Sequence, residues 1–199
     1  MTPTRTLMMS SALALVSALP AYADLTAEQV LADQLRQMEE YGLKASVTAQ
    51  SKSGDTLVVE GLSTAVETPE ANFRMTMAGA TFRELGDGTV EVTYPEAFPV
   101  TMSGTSEDGE DFEMLISMSH SNTRLVASGI PEEISYDFSS DSFSIDDISF
   151  TAPEEAAELD MDVSVQMNGL SGTMSFVGGG PVREYSADFS VDSVRALIS

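Results

Sequence analysis

Cysteine and tryptophan are both missing from this chain of 199 residues, and histidine occurs once, at His120. Without cysteine there is no disulfide framework, no thiolate metal site and no residue for acylation as a lipoprotein. With one histidine, a zinc shell would have to be completed by carboxylates, and a Ser-His-Asp triad would have to use His120. No G-x-S-x-G elbow occurs; Gly61-Leu62-Ser63-Thr64-Ala65 comes closest and fails at its last position. His120 stands beside an expected turn, where a solvated side chain is the simplest reading.

Basic residues are scarce as well. Nine Lys and Arg face 32 Asp and Glu, a formal charge of −23, and lysine is confined to Lys44 and Lys52. Such a field repels nucleic acid and anionic headgroups, so neither is an expected partner. Solubility in a salty medium is explanation enough for the imbalance. The acidic clusters Glu107-Asp108-Gly109-Glu110-Asp111, Asp146-Asp147 and Glu154-Glu155 lack EF-hand spacing and read as hydrated loops rather than calcium ligands. Gly178-Gly179-Gly180 has no following Lys-Ser/Thr and no helix start, so it reads as a flexible loop and not a phosphate cradle. No catalytic, cofactor-binding or metal-ligating residue is assigned, and a non-enzymatic role is expected.

What is present begins with a leader. Arg5, an apolar run from Leu7 to Leu19 and Ala21-Tyr22-Ala23 form the three parts of a cleavable signal peptide over residues 1–23. The run is too short for a membrane span of ~20 residues. One β-rich domain over 24–199 is then expected, periplasmic or secreted, with no stable membrane span after cleavage.

Thr26 with Gln29 three residues on has the pattern of a capping box, and Leu31, Leu35 and Met38 share one helical face before Gly42. From Lys44 onward the apolar period changes to two. Ser53-Gly54-Asp55 and Gly86-Asp87-Gly88 are expected turns; the second sets Phe82 opposite Val92, Ala80 opposite Tyr94, Arg83 opposite Glu91 and Thr81 opposite Thr93. Further turns are expected near Ser121-Asn122, which would set Leu125 opposite Met118, and at Asp141-Ser142. Gly129-Ile130-Pro131 should end a strand. Asn168-Gly169 has the dipeptide of a type I′ hairpin, which would gather Met161, Val163, Val165, Met167, Leu170, Met174 and Phe176 on one face. Pro95–Pro99, Ser103–Asp111 and Thr151–Glu158 read as loops, and Ser193–Ser199 as a helical or frayed tail.

The fold class is therefore mainly β: an antiparallel meander of about ten short strands, curled into a cup, half-barrel or two-layer sheet, with one N-terminal helix packed on it. Nine of the twelve methionines follow the leader. Met114, Met118, Met161, Val163, Val165, Met174 and Phe176 form a flexible apolar face that reads either as a dry core or as a lining for a lipid or other apolar ligand. An envelope scaffold or binding module is the leading expectation. An outer-membrane β-barrel and a carboxylate-based hydrolase are the alternatives, the second weakened by the shortage of aromatic sugar platforms.

Several phrases carry a resemblance. Leu25-Thr26-Ala27-Glu28-Gln29-Val30, Ser53-Gly54-Asp55-Thr56-Leu57, the run Leu85 to Thr93, Val126-Ala127-Ser128-Gly129 and the run Ile134 to Ser139 resemble a bacterial envelope family catalogued as domain of unknown function 2125. Members run to several hundred residues, so a shortened member or an N-terminal portion is expected. The resemblance implies an envelope location, and it implies no activity and no functional residue.

Overall fold

The helix forms where its capping signals stand. In the computed structural model, which describes residues 24–67, 71–105, 111–151, 163–178 and 183–198, α1 spans Ala27–Glu40. The Gln29 backbone N–H donates to Thr26 Oγ1 at 3.3 Å and the Thr26 N–H donates to Gln29 Oε1 at 2.9 Å, which closes the capping box. Gly42, at φ +78°, turns the chain out of the helix. The N-terminal end is also tied to the sheet: Glu84 accepts the Ala27 N–H at 3.0 Å, and Lys52 bridges Glu84 and Glu28 at 2.9 and 2.8 Å.

Among the described residues eleven strands follow in one antiparallel sheet: β1 (Lys44–Ser46), β2 (Ala49–Ser53), β3 (Thr56–Glu67), β4 (Ala71–Glu84), β5 (Val90–Thr93), β6 (Ala97–Thr105), β7 (Asp111–Ser121), β8 (Arg124–Ile130), β9 (Glu133–Thr151), β10 (Val163–Val177) and β11 (Glu184–Ile198). β1 and β2 lie end to end along β3, β5 and β6 along β4, and β7 and β8 along β9. The sheet is thus a meander of long rows, each beside the next in sequence. It curls into a partly closed ring that is not a barrel. Five strand spacings separate β3 from β10, ~24 Å if flat. Yet Leu57 on β3 and Phe176 on β10 belong to one core with Val30 and Leu31 of α1. The sheet wraps around the helix, which fills one end of the ring.

Both short-loop registers appear as the sequence dictates. Ser53 pairs with Thr56 across Gly54-Asp55, and Phe82 pairs with Val92, Arg83 with Glu91 and Thr81 with Thr93. The pairing stops at Thr93, one residue short of the expected Ala80–Tyr94 pair. β8 ends at Ile130, as Gly129-Ile130-Pro131 requires.

The turn expected at Asn168-Gly169 does not form. β10 runs through it without a break, paired on one side with β9 and on the other with β11. Gly169 does take the positive φ (+63°) that its type favours, but inside a strand. There it inverts the side-chain alternation: Met174 and Leu170 oppose Tyr136 and Ser140, whereas Met167 and Val165 oppose Phe143 and Ile145. Gly61, at φ +61°, does the same in β3, where Leu57 and Val59 are buried before it and Leu62 and Thr64 after it. The apolar residues of both arms therefore share a face within one strand. A valine at Gly169 is expected to destabilise the fold by about 2 kcal/mol or more in urea titration, since it combines left-handed strain with contact on the Asp192 carboxylate. Valine at Gly54, also at positive φ but with open space around it, should cost less.

Other local readings yield to the ladder for the same reason. β9 passes straight through Asp141-Ser142. Asn122 (φ 47°) kinks the chain, but β7 and β8 both continue along β9, so Leu125 opposes Phe138 and Val92 rather than Met118. β6 takes in Pro99 and extends to Thr105, and the tail is a strand to Ile198. The strands are longer than expected because extended neighbours, on both sides or for the edge strand β11 on one, supply hydrogen bonds that no local signal announces. Residues 152–158 lie outside the described residues, so the loop expected there does too, Thr151 being the last residue of β9.

Candidate functional site

Where the end-to-end rows break, the sheet leaves a space. Tyr94–Glu96 between β5 and β6, and Asn122–Thr123 between β7 and β8, drop out of the strand pairing. The His120 N–H donates to the Glu96 carbonyl at 2.8 Å across the interruption. Beneath it, on the helix side, lies a cavity of about 290 Å³ that opens to solvent, lined by Met38, Met75, Met77, Tyr94, Phe98, His120, Thr123, Phe138 and Phe143. An apolar cavity of about 150 Å³ is already enough to stay dry and bind benzene.

Polar groups on this lining are few. The Tyr94 hydroxyl donates to Gln34 Oε1 at 2.8 Å, and burial, against that hydrogen bond, pushes its pKa up to about 12. Thr123 Oγ1 and Ser140 Oγ bond each other at 2.7 Å. His120 is different. Both ring nitrogens are shielded from solvent and neither has a hydrogen-bond partner among the described residues. The ring sits 6.4 Å from that of Phe98. The solvated histidine expected from the sequence is thus corrected: β7 carries its side chain inward, onto the face of its cross-strand partner Phe143.

Next to the cavity, the C-terminal half of α1 holds the one densely charged interior point among the described residues. Asp33, 3% exposed, accepts from Tyr136 Oη at 2.7 Å, Gln37 Nε2 at 2.6 Å, Arg36 Nη2 at 2.8 Å and Arg183 Nη1 at 2.5 Å. Arg183, with a side chain 2% exposed, also grips Glu40 and lies over the Phe176 ring at 5.0 Å. Burial raises the Asp33 pKa, but the hydrogen bonds from Tyr136, Arg36, Gln37 and Arg183 outweigh it and hold the carboxyl below the usual range. Burial and the neighbouring Asp33 push the Tyr136 hydroxyl up. Every oxygen of Asp33 is engaged, so the cluster clamps the start of β11 to the helix. It presents no free acid or base.

No family model, curated protein or solved structure matches this chain.

The apolar face expected from the sequence divides in two. Phe176 is 4% exposed in the core under α1, and Met174 packs against that core. Met114, Met118, Val163 and Val165 are half-buried beyond the helix, and Met118 pairs with the cavity residue Phe98. Met161 lies outside the described residues. None of the other six lines the cavity. The sequence reading missed Met38, assigned to core packing, as well as Met75, Met77 and His120. Period two does place Met75 and Met77 on one face, but nothing local says that β5 and β6 part opposite Met77, just past the pairing of Met75 with Val100. Among the described residues no group of three or more His, Cys, Asp or Glu is arranged to hold a metal ion. Glu107–Glu110 and Glu154-Glu155 lie outside those residues, while Asp146 and Asp147 are exposed.

Proposed function

We propose that this chain is an exported, non-enzymatic binding module that holds an apolar molecule in the cavity beneath the C-terminal half of α1. The observation that carries the reading is the lining: three methionines and four aromatic rings surround a space that the side chains of the described residues leave unfilled. Methionine is flexible and polarizable, so such a wall adapts to ligand shape. The size falls near the lower end of small-molecule sites, roughly 300–1,000 Å³. The leader over residues 1–23 and the resemblance to an envelope family support an extracytoplasmic location.

The polarity of the sheet favours this reading over a membrane barrel, which needs an apolar band on its outside. Here Leu57, Val59, Phe82 and Val92 are buried in the core with the helix, Glu60, Arg83 and Asp137 are exposed, and the apolar side chains most exposed on the strands, Phe189, Val194 and Leu197, fall on the edge strand β11 rather than in a band around the ring. A carboxylate hydrolase would need two acids across a cleft, and the cavity lining contains none among the described residues.

Methionine methyl NMR tests the proposal. Adding octane to the [methyl-¹³C]methionine protein is expected to shift the Met38, Met75 and Met77 signals and leave Met174 in place. Met77→Trp, which fills the space, should abolish the response. Unmoved signals in a folded protein saturated with octane would refute the binding role.

A further inference from the structure

The sheet ends on β11, and this edge is built unlike the opposite one. There, β1 and β2 are three and five residues long and each carries a lysine, features that discourage the addition of a strand. β11 is fifteen residues long, has neither lysine nor proline, and among the described residues pairs only with β10. Its apolar side chains share the inner face of the ring. Tyr185 opposes the core residue Phe176, Ala187 opposes Met174, and the Phe189 ring lies over Gly172. Past the inversion at Gly169, Val194 opposes Met167, whose other neighbour is the cavity residue Phe143. Phe189 and Val194 are nevertheless 56% and 63% exposed. A long edge with an uncovered apolar row is a template for another strand.

We propose that the occupant is a second copy of this chain, with β11 paired antiparallel to β11 about a two-fold axis; this stands independently of the cavity. The first reason is facing. Residues directly opposite each other in an antiparallel pair project to the same face of the sheet. Val191 opposes Leu170 and Val194 opposes Met167, so the inward alternation of β11 changes phase at Asp192, beside Gly169. Two copies then match inward with inward along the whole strand only when the axis falls between Val191 and Asp192. Phe189 meets Val194 of the second copy, and Ala187 meets Ala196. The second reason is charge. The register that facing selects also sets Asp188 opposite Arg195, and the symmetry makes that pair twice. Arg195 is the single basic residue of β11, and neither it nor Asp188 has an ion-pair partner of its own among the described residues. A slip of two residues either way would put Arg195 against Ser186 or Ser190 instead. The junction joins the inner apolar faces of two rings into one.

Sedimentation velocity of the full-length protein over a concentration series tests this. At roughly 0.15 M salt, repulsion between two acidic chains is screened beyond ~8 Å, and a monomer–dimer equilibrium is expected. Arg195→Glu turns both ion pairs into like-charged ones and should raise the dissociation constant about tenfold or more. Arg74→Glu, at an exposed position on β4, changes the net charge equally and should leave the constant within about twofold. The swap Asp188→Arg/Arg195→Asp keeps the net charge of wild type and rebuilds both pairs, so it should dimerise like wild type. A wild-type protein that stays monomeric at high micromolar concentration overturns the proposal, whatever the variants do. A dimer that Arg195→Glu weakens no more than Arg74→Glu does overturns the β11 junction. A swap that stays as weak as Arg195→Glu overturns the register centred between Val191 and Asp192.

Discussion

Replacing Arg183 with leucine is expected to destabilise the folded state by about 3–5 kcal/mol, the usual effect of stranding one member of a buried ion pair. The guanidinium and the Asp33 carboxylate are each 2% exposed as side chains. Leucine would leave Asp33 with Tyr136, Gln37 and the half-exposed Arg36, but without its fully enclosed counter-charge. It would also free the start of β11 from Glu40 and from the Phe176 ring. Urea denaturation at neutral pH measures the loss. The double variant Asp33→Asn/Arg183→Leu should recover part of it, because no uncompensated carboxylate remains in the interior.

The same carboxylate gives stability an acid limb. Its folded pKa lies below the ordinary 3.8. The stabilisation is therefore complete above the unfolded pKa and is lost as pH falls through the lower folded value. Asp33→Asn should flatten that part of the stability–pH curve. Glu28, Glu84 and Asp87 are also shifted down, so some acid dependence should persist in the variant.

Phe82→Ala is expected to cost about 3–5 kcal/mol, while Phe143→Ala should cost at least about 2 kcal/mol less. Phe82 is 0% exposed in the core that joins α1 to β3, β4, β5, β8, β9 and β10. Its removal leaves a new void in a solid region. Phe143 already borders the cavity, so it has fewer packing partners to lose. Denaturation midpoints of the two variants, measured side by side, test whether the molecule is filled at one end and hollow beside it. Equal losses would mean that the space around Phe143 is packed in solution.

Local signals were legible wherever a segment decides its own conformation. The capping box at Thr26 and Gln29, the exit at Gly42 and the turns at Gly54-Asp55 and Gly86–Gly88 involve neighbours a few residues apart. Their hydrogen bonds are written in the same short stretch. Asn168-Gly169 misled for an instructive reason. Its dipeptide reports a positive φ, and that is what Gly169 adopts. Whether such a residue closes a hairpin or inverts the pleat of a continuous strand depends on partners far away in sequence, here Ser142 and Ser193.

The cavity is further still from the sequence. His120, Met38 and Met77 come from β7, α1 and β4, and nothing in their own surroundings in the chain separates them from ordinary core or surface residues. Alternation after Lys44 settled that this chain forms a mainly β fold with a dry side and a wet side, because period two has no other stable use in water. The tertiary structure alone decided how far the sheet curls, where its rows part, and which side chains surround the space left between them. Those outcomes depend on the fit of a 14-residue helix against strands distant in sequence, and packing of that kind has no local code.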